Sequence, residues 1–116
     1  MKTIIAGSRD ITDYQILCAA IKESGIVITE VVSGGARGVD TLGERYAKEN
    51  NLPLTRKPAE WDKYGKAAGA LRNIQMAEES QALIAVWNGS RGTQHMIGVA
   101  QDKGLKVHVH KIDPSQ

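Results

Sequence analysis

The sequence predicts an α/β fold in three layers, a mainly parallel five-stranded sheet with helices on both faces. Three observations lead there. Short β-rich apolar segments alternate with longer ones whose apolar residues recur at helical spacing. The connections are long enough to hold crossover helices, which parallel strands require. One segment, "ALIAVW" (82–87), is an uninterrupted apolar run, as expected of a strand covered on both faces.

The elements follow in order. "KTIIAG" (2–7) is the first strand. Thr12 and Gln15 have the spacing of a capping box for a first helix running to about Glu23. Its apolar face carries Tyr14, Leu17, Cys18 and Ile21, and Gly25 stops it. "TEVVSG" (29–34) is the second strand. Val39, Leu42, Gly43, Tyr46 and Ala47 mark a second helix, closed by Asn50 and Asn51. "LPLTRKP" (52–58) is a third strand, and its prolines place it at a sheet edge. "AEWDKYG" (59–65) reads as an irregular loop before a third helix from about Lys66 to Glu79. After the buried fourth strand, a fourth helix runs from about Gly92 to Lys103 and stops at Gly104. "KVHVHKI" (106–112) is the last strand.

The 116 residues suit one domain spanning 1–116. No apolar run approaches the ~20 residues of a membrane span, so no membrane partner is expected. The start, "MKTIIAGSRD", has too short an apolar stretch for a signal peptide. The single cysteine, Cys18, rules out an intramolecular disulfide and suits a reducing compartment; together these point to the cytoplasm. Phenylalanine is absent, so Ile, Val, Leu and Ala must build the core. A net charge of +2 does not mark a nucleic-acid binder. The arginines say more, because Arg9 follows Gly-Ser, Arg37 follows Gly-Gly-Ala and Arg91 sits in "NGSRGT". A guanidinium fork matches phosphate, and glycine lets backbone approach an anion closely.

Ligands of such sheets bind beyond the carboxyl ends of the strands, where strand order reverses. "GSRD" follows the first strand, "SGGARGVD" the second, "PAEWDKYGK" the third and "NGSRGT" the fourth, so the unusual chemistry lies on one edge. A dinucleotide fingerprint would need G-x-G-x-x-G after the first strand, and a P-loop would need G-K-[ST]. Neither occurs. An anion site is the remaining reading. Gly34 and Gly35 can turn the chain with positive φ, and Gly38 permits a close helix start. The free amides of that start, its dipole and Arg37 would then face an anion. "NGSRGT" repeats the arrangement, with Gly89 and Gly92 flanking Ser90 and Arg91, and Thr93 offering a hydroxyl. Gly7, Ser8 and Arg9 of the first loop, and Ser33 opening the second, belong to the same edge.

"VVSGGARGVDTLGERYA" resembles the S-G-x-A-R-G-[IV]-D stretch of the DNA-processing protein A family. "LRNIQM" is similar to the arginine-bearing helix of LOG phosphoribohydrolases, and "NGSRGT" to their P-G-G-x-G-T loop. With "GSRD" and "PAEWDKYGKAAGALRN", the chain from Lys2 to Val109 resembles the small stand-alone YspA-related subfamily of the SLOG superfamily of Rossmann-like domains. The resemblance implies a site for a nucleotide or nucleotide-derived ligand. Gly34, Gly35, Arg37 and Gly38 would bind phosphate, Gly89, Gly92 and Thr93 would form a second phosphate loop, and Arg72 would reach a phosphate or ribose. LOG enzymes follow their Gly-Thr pair with an acidic residue that serves base–ribose cleavage. Here "QHMIG" follows instead, so cleavage would need Asp40, Glu44, Glu60 or Asp62 to supply the carboxylate.

Other residues carry more local expectations. Asp40, in the first turn of its helix, would face Arg37, Arg72 or a ribose hydroxyl, or act as a structural cap. Asn73 beside Arg72 would add a neutral hydrogen-bonding partner. Trp61 and Tyr64 could stack a base, although covering the core is the commoner use of such aromatics. Trp87 suits a core or pocket-wall position, and Cys18 is expected to be inert. His108 and His110 share a strand face, but no third ligand lies near them in sequence, so no metal is expected. No cofactor is expected either. The leading expectation is a binder of a nucleotide-like small molecule, in one reading a sensor. A hydrolase of a nucleotide derivative, by N-glycosidic or phosphoester cleavage, is the alternative. Nucleic acid is the weaker partner, since +2 and 4% aromatics make a poor single-strand track. A homo-oligomer is compatible with the helix faces and with the resemblance, as SLOG relatives often dimerise.

Overall fold

The structure is a computed structural model that describes residues 1–113. Its strands are β1 (Lys2–Gly7), β2 (Glu30–Ser33), β3 (Leu54–Arg56), β4 (Ala82–Trp87) and β5 (Lys106–Lys111). They form one sheet in the order β3-β2-β1-β4-β5, with every neighbouring pair parallel. The helices are α1 (Tyr14–Ser24), α2 (Val39–Glu49), the single turn α3 (Trp61–Tyr64), α4 (Ala68–Glu78) and α5 (Arg91–Asp102). The expected three-layer, Rossmann-like α/β architecture is therefore present, and β3 lies at an edge as its prolines required.

Strand periodicity builds the two cores. Successive side chains of a strand point to opposite faces, so an unbroken apolar run feeds both. Ile5, Ile84 and Val86 pack with Leu17 and Ile21 of α1 and Val39 and Leu42 of α2. Ile4, Leu83 and Ala85 pack with Met76 of α4 and Met96 and Ile97 of α5 on the other face. Ile4, Ile5, Leu83 and Ile84 have no exposed surface. Burying each such side chain contributes roughly 1.5–3 kcal/mol, which sets the sheet as the rigid base of the molecule.

Three local expectations are corrected. The cap of α1 is Asp13 rather than Thr12, and its carboxylate accepts from the Gln15 amide at 2.9 Å. A carboxylate adjoining the helix is a strong acceptor and is favoured by the helix dipole, so it displaces the hydroxyl one residue earlier. Residues 59–65 are not wholly irregular, since α3 makes one helical turn there. Gly65, at φ +57°, ends that turn, and a short 3-10 segment (Gly65–Ala67) delays α4 to Ala68.

This topology locates the site. β2 and β3 lie on one side of β1, and β4 and β5 on the other, so the chain reverses its direction of growth between β1 and β4. The β1–β4 pairing ends at Gly7 opposite Val86, and the Ser8 amide still donates to the Val86 carbonyl at 3.1 Å. Beyond that bond the two loops part, leaving a crevice at the strand ends. Among the described residues, no helix is long and apolar enough to cross a membrane.

Candidate functional site

Ser8 holds the base of the crevice. Its hydroxyl donates to Asn88 Oδ1 at 2.6 Å, accepts from the Asn88 amide at 3.2 Å and lies 3.0 Å from Ser90 Oγ. Its carbonyl accepts from the amides of Ile11 and Val39, both at 3.4 Å. One buried serine thus joins the loops after β1 and β4 to the start of α2. Asn88 passes the connection on, donating to Asp10 Oδ1 at 2.9 Å.

Above this base lies a cavity of about 390 Å³, bounded by the β1 loop, the start of α5 and the inner face of α4. A second cavity of about 360 Å³ adjoins it over the loop after β2 and residues 58–61. Arg9, Ala36 and Arg72 line both, so the two adjoin as a cleft with cationic groups at their junction. Each volume falls within the roughly 300–1,000 Å³ of small-molecule sites.

Most of the residues singled out in the sequence come together here. Gly7, Arg9, Asp40, Arg72 and Asn73 line the first cavity, as do Ser90, Gly92 and Thr93 from α5 and its cap. Gly34, Gly35 and Arg37 line the second. Ser8, Ser33, Gly38 and Gly89 line neither. Ser33 is buried, accepting from the Gly35 amide at 3.1 Å and donating to Glu44 at 2.7 Å. Gly38 has φ +74°, and a Cβ there would lie 2.4 Å from the Ser8 carbonyl oxygen and 2.5 Å from that of Arg9. Its role is to let the two loops touch. Gly34 does not have the expected positive φ, which belongs to Gly35 and Gly38. A Cβ on Gly34 would instead strike Arg72 Nη1 at 2.6 Å and Asp40 Oδ2 at 2.8 Å.

That collision identifies the centre of the electrostatics. Arg72 Nη1 donates to the Gly34 carbonyl at 2.6 Å, and its Nε donates to Asn73 Oδ1 at 3.1 Å. It therefore has the backbone task that its position inside a helix concealed. Asn73 lies 3.0 Å from His95 Nδ1 through its Nδ2, joining α4 to α5. Asp40 is buried and accepts from the Ala36 amide at 3.1 Å. Burial raises the Asp40 carboxyl above the usual aspartate range, opposed by the Ala36 bond and by the charges of Arg72 and Arg9, while Glu44 adds to the rise. Burial likewise lowers Arg72; Asp40 opposes this, and the like charge of Arg9 adds to it. Two guanidinium groups thus repel each other where the cavities meet.

The other charges separate into neutralised and available groups. Arg45 pairs with Glu49, and Arg56 with Glu44. The side chains of Arg9, Arg37 and Arg91 make no hydrogen bond or ion pair among the described residues. Ser90, the N-cap of α5, makes no side-chain cap bond. Of the four carboxylates weighed as acid–base groups, only Asp40 lines the cleft; Glu44 is held by Ser33 and Arg56. Trp61 is 53% exposed and lines the second cavity rather than covering the core. Trp87 packs on the α4–α5 core and donates to the Ser90 carbonyl at 2.8 Å.

Some residues of the cleft were missed. Asp10 and Asn88 line the first cavity from within "GSRD" and "NGSRGT", where the basic and glycine residues beside them carry the stronger sequence signal. Met76 and Met96 form the apolar floor, and helical spacing could have found them, four residues after Arg72 and three after Thr93.

Residues 1–64, which carry β1, β2 and the loops after them, match the sequence profile of the YspA, cpYpsA-related SLOG family. The chain belongs to this family. A relative is the Gene 61 protein of Mycobacterium phage D29, 32% identical over 119 aligned positions, covering 91% of this chain and 93% of that protein. For this SLOG chain, membership points to nucleotide-related chemistry. The matched segment supplies Arg9, Gly34 and Asp40, whereas Arg72 and the α5 start lie beyond it.

Proposed function

We propose that this SLOG protein binds a nucleotide-derived, phosphate-bearing small molecule in the cleft at the carboxyl ends of its strands. The observation that carries the reading is the meeting of Arg9 and Arg72 at the junction of the two cavities. Like charges held together around a cavity are relieved by an anion between them, and arginine presents a fork suited to phosphate. The uncapped start of α5 adds amides and the positive end of a helix dipole on the same wall. Trp61 offers an exposed ring in the second cavity on which a base could stack. A phosphate between Arg9, Arg72 and α5, with the rest of the ligand reaching toward Trp61, uses both cavities. A thermal-shift panel of mononucleotides, ADP-ribose and cyclic nucleotides against inorganic phosphate tests the reading. Stabilisation by a nucleotide beyond that given by equimolar phosphate supports it, and a panel with no stabilisation refutes it.

A hydrolase is the second reading, favoured by one observation. Asp40 is a buried carboxyl in the cavity wall, raised above its usual range by burial, as groups recruited for acid–base chemistry often are. Release of free base or ribose phosphate from a ligand shown to bind, lost in Asp40→Asn, would establish it. A bound ligand recovered unchanged after prolonged incubation would leave the protein a binder.

A further inference from the structure

His108 and His110 lie on the same face of β5, two residues apart, and no third ligand is near them in sequence. The fold supplies one from α1. Glu23 Oε2 lies 2.8 Å from His110 Nδ1 and 3.6 Å from His108 Nε2, and the three atoms lie within 4.8 Å of one another. None of the three residues lines either cavity of the cleft.

We propose that Glu23, His108 and His110 form a binding site for a first-row divalent transition metal of the zinc type. Two imidazole nitrogens and one carboxylate are the donors such ions take, leaving further positions to water. At metal–ligand distances of about 2.0–2.1 Å, tetrahedral ligands lie roughly 3.4 Å apart. The two carboxylate–imidazole separations straddle that value, so small side-chain rotations close the site. A plain Glu23–His110 hydrogen bond accounts for less. It leaves His108 Nε2 buried, turned toward the carboxylate and without a hydrogen-bond partner. An ion shared by all three satisfies that nitrogen and joins the last turn of α1 to the edge strand β5.

The test uses the tag-free full chain, because an affinity tag would add histidines. Zinc is titrated in competition with a chromophoric chelator, and cobalt is followed by its visible d–d absorption. The expected result is one equivalent bound, with His108→Ala and His110→Ala each weakening it by about a hundredfold or more. Loss of a direct ligand should exceed the ~10–100-fold typical of groups that only orient one. His95→Ala, which removes the chain's third histidine, should leave binding unchanged. Circular dichroism of each variant reports whether it has folded, and Glu23→Gln offers a milder change on the exposed helix surface. Zinc affinity unaltered in a folded His110→Ala protein, or no uptake in competition with the chelator, overturns the proposal.

Discussion

Arg9→Ala separates ligand binding from fold stability more cleanly than any other change in the cleft. Arg9 lines both cavities, yet its side chain has no hydrogen bond or ion pair among the described residues, so removing it breaks none. The change removes a like charge that disfavours the charged form of Arg72, and with it a charge that favours the Asp40 carboxylate, so the two effects oppose each other. The unliganded protein should therefore melt close to the parental temperature. A charge-assisted hydrogen bond to phosphate contributes about 1.5–3 kcal/mol, so Kd should rise roughly ten- to a hundred-and-fifty-fold. The assay is thermal shift at a fixed ligand concentration set to one hundred times the parent Kd. There the parent gains about 2.7 kcal/mol, while the variant should gain only about 0.3–1.4 kcal/mol. The loss should shrink in high salt, because Arg9 is exposed and its field is screened within about 10 Å at 0.1 M. Arg72→Ala provides the contrast. It leaves the Gly34 carbonyl without its 2.6 Å donor, so it should lower both the unliganded melting temperature and the affinity. An Arg9→Ala protein with parental stability and a parental ligand shift would refute the anion-clamp reasoning.

Two further changes test the construction of the site. Gly38→Ala should destabilise the unliganded chain by more than the ~1–2 kcal/mol of the left-handed backbone alone, since its Cβ would enter the van der Waals shells of the Ser8 and Arg9 carbonyls. Urea denaturation measures this, and a loss below about 0.5 kcal/mol would contradict the close loop contact. Asp40→Asn tests burial of the carboxyl. A raised folded-state value means the wild-type group favours folding below its unfolded range near 3.9 and loses that contribution as pH rises through the raised value. The melting temperature of Asp40→Asn minus that of the parent should therefore increase from pH 4 toward neutrality, and a flat difference would show that Asp40 is not desolvated.

The architecture was legible because its signals are local. The unbroken "ALIAVW", the glycine stops at Gly25 and Gly104, and the prolines flanking Leu54–Arg56 each act within a few residues of themselves. The edge on which the site lies was also legible, since parallel connectivity places every loop after a strand on one side. What escaped was long-range. The task of Arg72 is a bond to Gly34, 38 positions away, and Ser8 meets Asn88 at a separation of 80. Neither pairing leaves a periodic trace. Gly34 shows the same limit. Its lack of a side chain looked like a need for positive φ, whereas the need is space for Arg72 and Asp40 arriving from two helices. Glu23 was absent from any metal reading for the same reason, because only the packing of α1 on β5 brings it to the histidines.

The two glycine loops, alike in sequence, play different parts. In "SGGARGVD" the amides are largely taken by the protein itself: Ala36 donates to the carboxylate of Asp40, Gly35 to the Ser33 hydroxyl and Val39 to the Ser8 carbonyl. The loop already holds an anion, and it is a side chain of its own helix. A phosphate placed against the start of α2 would meet that carboxylate at close range in a poorly screened setting, which is unfavourable. "NGSRGT" carries no such resident, since the Ser90 hydroxyl bonds Ser8 and Thr93 rather than a helix amide and the first turn contains no acidic residue. This asymmetry orients the proposed ligand. Its phosphate belongs at α5 between Arg9 and Arg72, while Asp40 faces a neutral, hydroxyl-bearing part of the molecule. The carboxyl expected after Thr93 in a phosphoribohydrolase is then supplied, if chemistry follows binding, by a residue of another helix lining the same cavity.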